Sequence, residues 1–301
     1  MYMLVLKPIC HETLWGGQKL KKRIETNCEK VGHLYSVYCR AGISNEILNG
    51  TNKGKTLNDV FPDWKSQFYM ASSLYFPLTI ALTEAGEHLS IQVHPNDEAA
   101  NRLEHKARGK RESWYFLDPP TDGWIYCGCT CETQEALDVM LENRRYADMA
   151  DKLRVKAGDY VFVQPGTLHS ITAGSLVYEI EEGADFTYRF YDYDRYDADG
   201  NLRELHIEKA IASLEIGQRS VAKTYPPSGE IAEETYATKK LKKIDYYANQ
   251  SDTIECFTLI EGSCICDGVP LLGGSTVLLW PGEEIRNAKI ELAFAARQRG
   301  V

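Results

Sequence analysis

Short apolar runs broken by Gly, Pro, Asn and Asp dominate the chain. That pattern belongs to half-buried strands joined by tight turns. It predicts strands over residues 89–93, 113–117, 123–128, 159–163, 175–180 and 187–191. Turn chemistry separates them at Pro119-Pro120, Ala157-Gly158-Asp159, Pro165-Gly166 and Ala173-Gly174. A helical period is confined to 133–143 and 208–214, with shorter helices expected over 58–64 and 96–102. Pro226-Pro227-Ser228-Gly229 reads as a linker. Beyond it come strand-like runs at 256–260, 264–266 and 276–280, with turns at Glu261-Gly262 and Gly273-Gly274. The expectation is a mainly β protein with a few short helices, cut into domains 1–225 and 226–301.

A weak internal repeat refines this. Leu259-Ile260-Glu261-Gly262-Ser263, then Leu272-Gly273-Gly274, then Pro281-Gly282, resembles one cupin barrel, and 113–117, 155–159 and Val163-Gln164-Pro165-Gly166 follow a similar order earlier. Two cupin (jelly-roll β-barrel) domains are predicted, of which only the first carries histidines.

Composition excludes several classes of function. The 301 residues are 44% apolar and 26% charged, which is ordinary for a globular protein. The net charge of −9, with no Lys/Arg-dense stretch longer than 19–23, argues against a nucleic-acid partner. No run reaches the ~18 apolar residues of a membrane span, and 1–6 is too short for a secretory core. Nine scattered cysteines without a CxxC pair point to free thiols and a cytoplasmic setting. Cys127, Cys129 and Cys131 are spaced to share a strand face, so a thiolate metal site there was weighed.

The chemistry concentrates in three phrases. In Ser90-Ile91-Gln92-Val93-His94-Pro95, Gln92 and His94 alternate onto one face. In Lys110-Arg111-Glu112-Ser113-Trp114-Tyr115 a carboxylate opens an apolar strand. In Pro165-Gly166-Thr167-Leu168-His169-Ser170 a turn delivers a histidine to the next strand. Two imidazoles, a carboxylate and an amide oxygen suit Zn²⁺ with an open position, or Mn²⁺, Fe²⁺ or Co²⁺. His11, His88, His105 and His206 have no partner at ligand spacing; His88 and His105 are expected to be exposed.

With these phrases assembled, the chain resembles the short bacterial form of the type I mannose-6-phosphate isomerases, which are cupins. The resemblance rests on Leu14-Trp15-Gly16-Gly17 with Leu20, on Phe76-Pro77-Leu78, and on 89–97, 112–117 and 163–170. It continues through Tyr178-Glu179-Ile180 and Thr187-Tyr188-Arg189-Phe190-Tyr191-Asp192-Tyr193. It covers most of the first 210 residues and runs on more loosely beyond them. It implies an aldose–ketose isomerase interconverting mannose 6-phosphate and fructose 6-phosphate, with one zinc ion and a monomeric or homodimeric state. The implied metal ligands are Gln92, His94, Glu112 and His169, and the implied active-site residues are Arg189, Glu179 and Lys110. A surface role for Arg189, paired with Asp185, Asp192 or Asp194, stands beside the catalytic one.

The chain departs from the family pattern twice. Ala81 stands where the family has a lysine, and Gly32-His33-Leu34-Tyr35-Ser36 replaces a Gly-Glu-x-Trp-Glu phrase. A cation and a carboxylate are lost together. That leaves two alternatives to the isomerase reading: the same scaffold acting on another sugar or sugar phosphate, or a non-catalytic, metal-containing, sugar-binding cupin with a regulatory role.

Overall fold

A computed structural model describes residues 3–24, 26–67, 74–143, 145–197 and 199–299. The architecture is mainly β and cupin-like, as predicted. Contacts group the chain into two units, each discontinuous in sequence. One comprises Met1–Glu12, Gln18–Leu82 and Tyr225–Val301; the other comprises Thr13–Gly17 and Thr83–Thr224. The sequence drew one cut at 225/226. N-terminal residues instead join the C-terminal half, because Leu4–Leu6 pairs antiparallel with Thr276–Leu279, Val5 opposite Val277.

In the first unit a sheet runs in the order Leu4–Leu6, Thr276–Leu279, Glu255–Cys266, Lys289–Gln298, Tyr236–Ile244, Glu230–Ala232. Alternate residues of these strands, among them Val5, Phe257, Leu259, Val277, Leu279, Ala293 and Ala295, form an apolar core. The predicted runs at 256–260 and 264–266 are a single strand, Glu255–Cys266, whose register shifts around Glu261 and Gly262. The expected turn is thus a bulge. Gly262 has φ +118°, and a Cβ there would lie 2.2 Å from the Lys289 carbonyl oxygen, so only glycine fits.

The second unit pairs two antiparallel sheets. One holds Ala222–Thr224, Asp159–Val163, Lys110–Asp118 and Leu176–Gly183; the other holds Ala150–Arg154, Trp124–Cys129, His169–Ser170, Ile91–Val93 and Tyr188–Tyr191. Trp114, Phe116, Val161 and Val177 of the former pack with Ile125 and Cys127 of the latter, the face-to-face arrangement of a jelly roll.

Helices fall within two residues of the expected positions, for local reasons. Leu57–Trp64 starts at a Thr56/Asp59 capping box, Asp97–Glu104 at Asn96, and Gln134–Glu142 at Thr133, whose side chains accept backbone N–H groups. Ile207–Ser213 completes the α-helices among the described residues. No described helix is long and apolar enough to cross a membrane. All nine cysteines are free. The Cys127/Cys129/Cys131 face dissolves on inspection: Cys127 packs in one core cluster and Cys129 and Cys131 in another.

Candidate metal centre

Strand register builds the site. His169 lies directly opposite Gln92, and Gln92 opposite Arg189, so these three side chains leave the sheet on one face. On the other sheet Glu112 is opposite Glu181, and Trp114 is opposite Glu179. Period-2 alternation then puts Lys110, Glu112 and Trp114 on the same side as Glu179 and Glu181.

His94, Glu112 and His169 are buried, and their ligand atoms lie within 4.8 Å of one another. The His94 Nε2 is 2.8 Å from Glu112 Oε2. His94 Nδ1 lies 2.7 Å from the Phe186 carbonyl oxygen, and His169 Nδ1 lies 2.8 Å from that of Thr167. A carbonyl only accepts, so each Nδ1 carries the ring proton and each Nε2 presents a lone pair. Burial, with Lys110 nearby, lowers the His94 pKa. Burial and then His94 push His169 down to about 3. Both rings are therefore neutral at neutral pH. Two lone pairs and a carboxylate converge in a dry interior with no proton between them, an arrangement that a divalent cation relieves. The donor set fits such an ion. The Gln92 amide nitrogen stands 3.3 Å from His169 Nε2, and its oxygen 3.2 Å from Ser90 Oγ. Turning the amide over exchanges the two atoms, keeps a hydrogen bond to Ser90 and offers the oxygen as a fourth donor.

A second group adjoins it: Glu112 and Glu179, both buried, and the partly buried Glu181. The Lys110 Nζ bridges Glu181 at 2.7 Å and Glu112 at 3.3 Å. Burial works against the Lys110 charge, but Glu181 and Glu112 outweigh it and hold the pKa well above the usual lysine range. For Glu112, burial is likewise outweighed, chiefly by the Lys110 charge, which holds its pKa well below the usual carboxylate range. Glu179 goes the other way: burial, then Glu112 and Glu181, raise its pKa well above the carboxylate range. Burial also lifts Glu181 to about 7, with Lys110 opposing. Glu179 is held in place by the Trp114 indole N–H, which donates at 2.9 Å, and by the Thr83 hydroxyl. One face thus carries three carboxylates whose surroundings push their pKa values apart, Glu112 downward and Glu179 and Glu181 upward.

Arg189 donates through Nε to the Glu204 carbonyl at 3.0 Å, and its backbone N–H donates to His206 Nδ1. Of Asp185, Asp192 and Asp194, the three neighbours offered as its surface partners, Asp192 is held by Arg195 and by Arg203 at 2.6 Å. Reading the sequence alone missed Glu181, Trp114 and Thr83. The alternation Glu179-Ile180-Glu181 was the available signal for Glu181. His88 is half-buried rather than exposed, since its Nδ1 accepts the Ala173 N–H at 2.9 Å and its ring packs near Trp124 and Tyr193. His105 is exposed as expected, in a left-handed cap after Asp97–Glu104. In the first unit His33 stacks on Tyr35 with ring centroids 5.0 Å apart, while Ala81 and Ser36 are fully buried.

No protein-family model matches the chain. Individual relatives do. Mannose-6-phosphate isomerase ManA of Bacillus subtilis (strain 168) is 37% identical over 214 residues, 71% of this chain and 68% of that one. This chain belongs to the mannose-6-phosphate isomerase family. The mannose-6-phosphate isomerase of Streptococcus mutans is 34% identical over 218 residues, again 71% of this chain and 68% of that one. The crystal structure of the mannose 6-phosphate isomerase from Bacillus subtilis superposes with a TM-score of 0.86 at 28% identity, covering 99% of this chain and 100% of the other. The family places this chain among enzymes of the isomerase kind.

Proposed function

We propose that this mannose-6-phosphate isomerase family member interconverts mannose 6-phosphate and fructose 6-phosphate, using one zinc ion held by Gln92, His94, Glu112 and His169. The carrying observation is the convergence of two proton-free Nε2 atoms on the Glu112 carboxylate. When bound, the ion supplies Lewis acidity toward the sugar's carbonyl and hydroxyl oxygens. The chain's own residues supply the rest. Lys110 keeps Glu112 ionised, and with Arg189 offers positive charge to an enediolate or a phosphate. Glu179, oriented by Trp114 and Thr83 and with its pKa raised by burial, is the group that moves a proton between C1 and C2. Family membership supports the reaction type.

The test is a coupled assay of mannose 6-phosphate conversion, before and after chelation and after readdition of zinc. Activity lost on chelation and restored by zinc is expected. A chain carrying one equivalent of metal that turns nothing over would overturn the isomerase reading. The second reading, another sugar or sugar phosphate on the same scaffold or a regulatory sugar-binding protein, draws on Ala81 and His33. It gains if the wild-type chain is silent and Ala81→Lys with His33→Glu gains activity toward mannose 6-phosphate.

A further inference from the structure

The first unit contains a cleft of about 620 Å³ that shares no residue with the metal cluster or with Lys110, Glu179 and Arg189. It is built where the Lys7–Cys10 stretch, the 22–24 loop and the tight turn at 272–275 come together. Three cations line it: Lys7, Lys22 and Arg23. Among the described residues no carboxylate does. Lys7 has a carboxylate partner, Glu46 at 3.3 Å, but both side chains are well exposed, so the pair is weak and readily exchanged. Among the described residues Lys22 and Arg23 form no ion pair, and both side chains are exposed. The same cleft is lined by the apolar side chains of Leu34, which is buried, and Leu272, which is 64% exposed.

We infer that this cleft binds a small organic phosphate, its phosphate held by Lys7, Lys22 and Arg23 and its carbon skeleton laid against Leu34 and Leu272. In a chain of net charge −9 a cleft lined by three cations is where an anion collects. Charge-assisted hydrogen bonds from ammonium and guanidinium groups suit a phosphate monoester. The two leucine side chains would be wasted on an inorganic ion, and the volume lies within the range of small-ligand pockets. The inference does not depend on the isomerase reading, because the two sites share no residue.

The experiment uses phenyl phosphate, which carries the phosphate and a ring and cannot be isomerised, with inorganic phosphate as the comparison. Calorimetric titration of the full chain should show one equivalent of phenyl phosphate bound, more tightly than inorganic phosphate. Lys22→Gln with Arg23→Gln should weaken it about tenfold or more, as expected for loss of two charge-assisted contacts. Leu272→Asp should weaken phenyl phosphate more than inorganic phosphate. His94→Ala with His169→Ala should leave binding unchanged. Cys10 lines the same cleft, so bound phenyl phosphate should also slow its alkylation by iodoacetamide, read by mass spectrometry of the Cys10 peptide. No binding to the wild-type chain, equal binding by the Lys22/Arg23 variant, or loss of binding in the His94/His169 variant would each overturn the assignment. The last result would place the phosphate at the metal cluster instead.

Discussion

Two strands of similar design end in opposite interiors. Glu255–Cys266 turns Phe257 and Leu259 into a hydrocarbon core, where burial of apolar surface stabilises the fold. Lys110–Asp118 turns Lys110 and Glu112 inward, against Glu179 and Glu181, before reverting to Trp114 and Phe116. The first interior is satisfied by the chain alone. The second holds charges and lone pairs whose desolvation is repaid by accurate mutual pairing and, under the proposed function, by a cation at the histidine end. A sheet of one fold thus serves as filling in one unit and as a coordination surface in the other.

The largest break of that contrast is His169→Ala. It removes one of two converging imidazoles, and activity in the coupled assay should fall at least about 100-fold, since even outlying partners of metal ligands cost 10–100-fold. Thermal stability in chelator should change far less. Next is Lys110→Met, which leaves Glu112 and Glu181 without their shared cation. Chemical denaturation should show a loss of about 3–5 kcal/mol, the range for breaking one side of a buried ion pair. Leu259→Ala in the other unit should cost about 2–5 kcal/mol by cavity formation, with metal content per folded chain unchanged. Loss of metal in that variant would erase the distinction between the two interiors.

The smallest effect is in pH dependence, and its sign differs between Asp97 and Glu255. For Asp97, burial is outweighed by Arg111, the Gly109 N–H and Arg108, so the folded pKa lies below the usual 3.8. Its stability contribution is present above that value and is lost as pH falls through the folded pKa. For Glu255 burial dominates over the Tyr247 hydroxyl that donates to it, and the folded pKa lies above 4.5. The folded chain then holds a proton that the unfolded chain releases, so stability declines as pH rises from 4.5 toward the folded pKa. Asp97→Asn should flatten the acid limb of a stability-versus-pH curve, and Glu255→Gln should remove part of the decline above it.

Those contrasts show what a sequence makes legible. His94, Glu112 and His169 stood out because each sits in a short local phrase, and strand alternation already put Gln92 and His94 on one face. Glu181 did not, because its meaning comes from lying opposite Glu112, a pairing across 69 positions of chain that no local pattern encodes. The discontinuous units have the same origin: Leu4–Leu6 looks like any short apolar run until it is paired with Thr276–Leu279. The bulged Glu255–Cys266 strand was read as two strands because Glu261-Gly262 has turn composition, and only the nearby Lys289 carbonyl reveals why the glycine is there. His88 was misjudged because its neighbours in sequence are polar, while the contacts that half-bury it come from Ala173, Trp124 and Tyr193.

The claim on which everything else stands is that the second interior coordinates a divalent ion through imidazole. X-ray absorption at the metal edge of the purified, zinc-loaded chain tests it most directly. The account predicts two imidazole nitrogens at about 2.0–2.1 Å with oxygen completing the shell. A sulfur shell, or an imidazole signal unchanged in His94→Ala and His169→Ala, would contradict it.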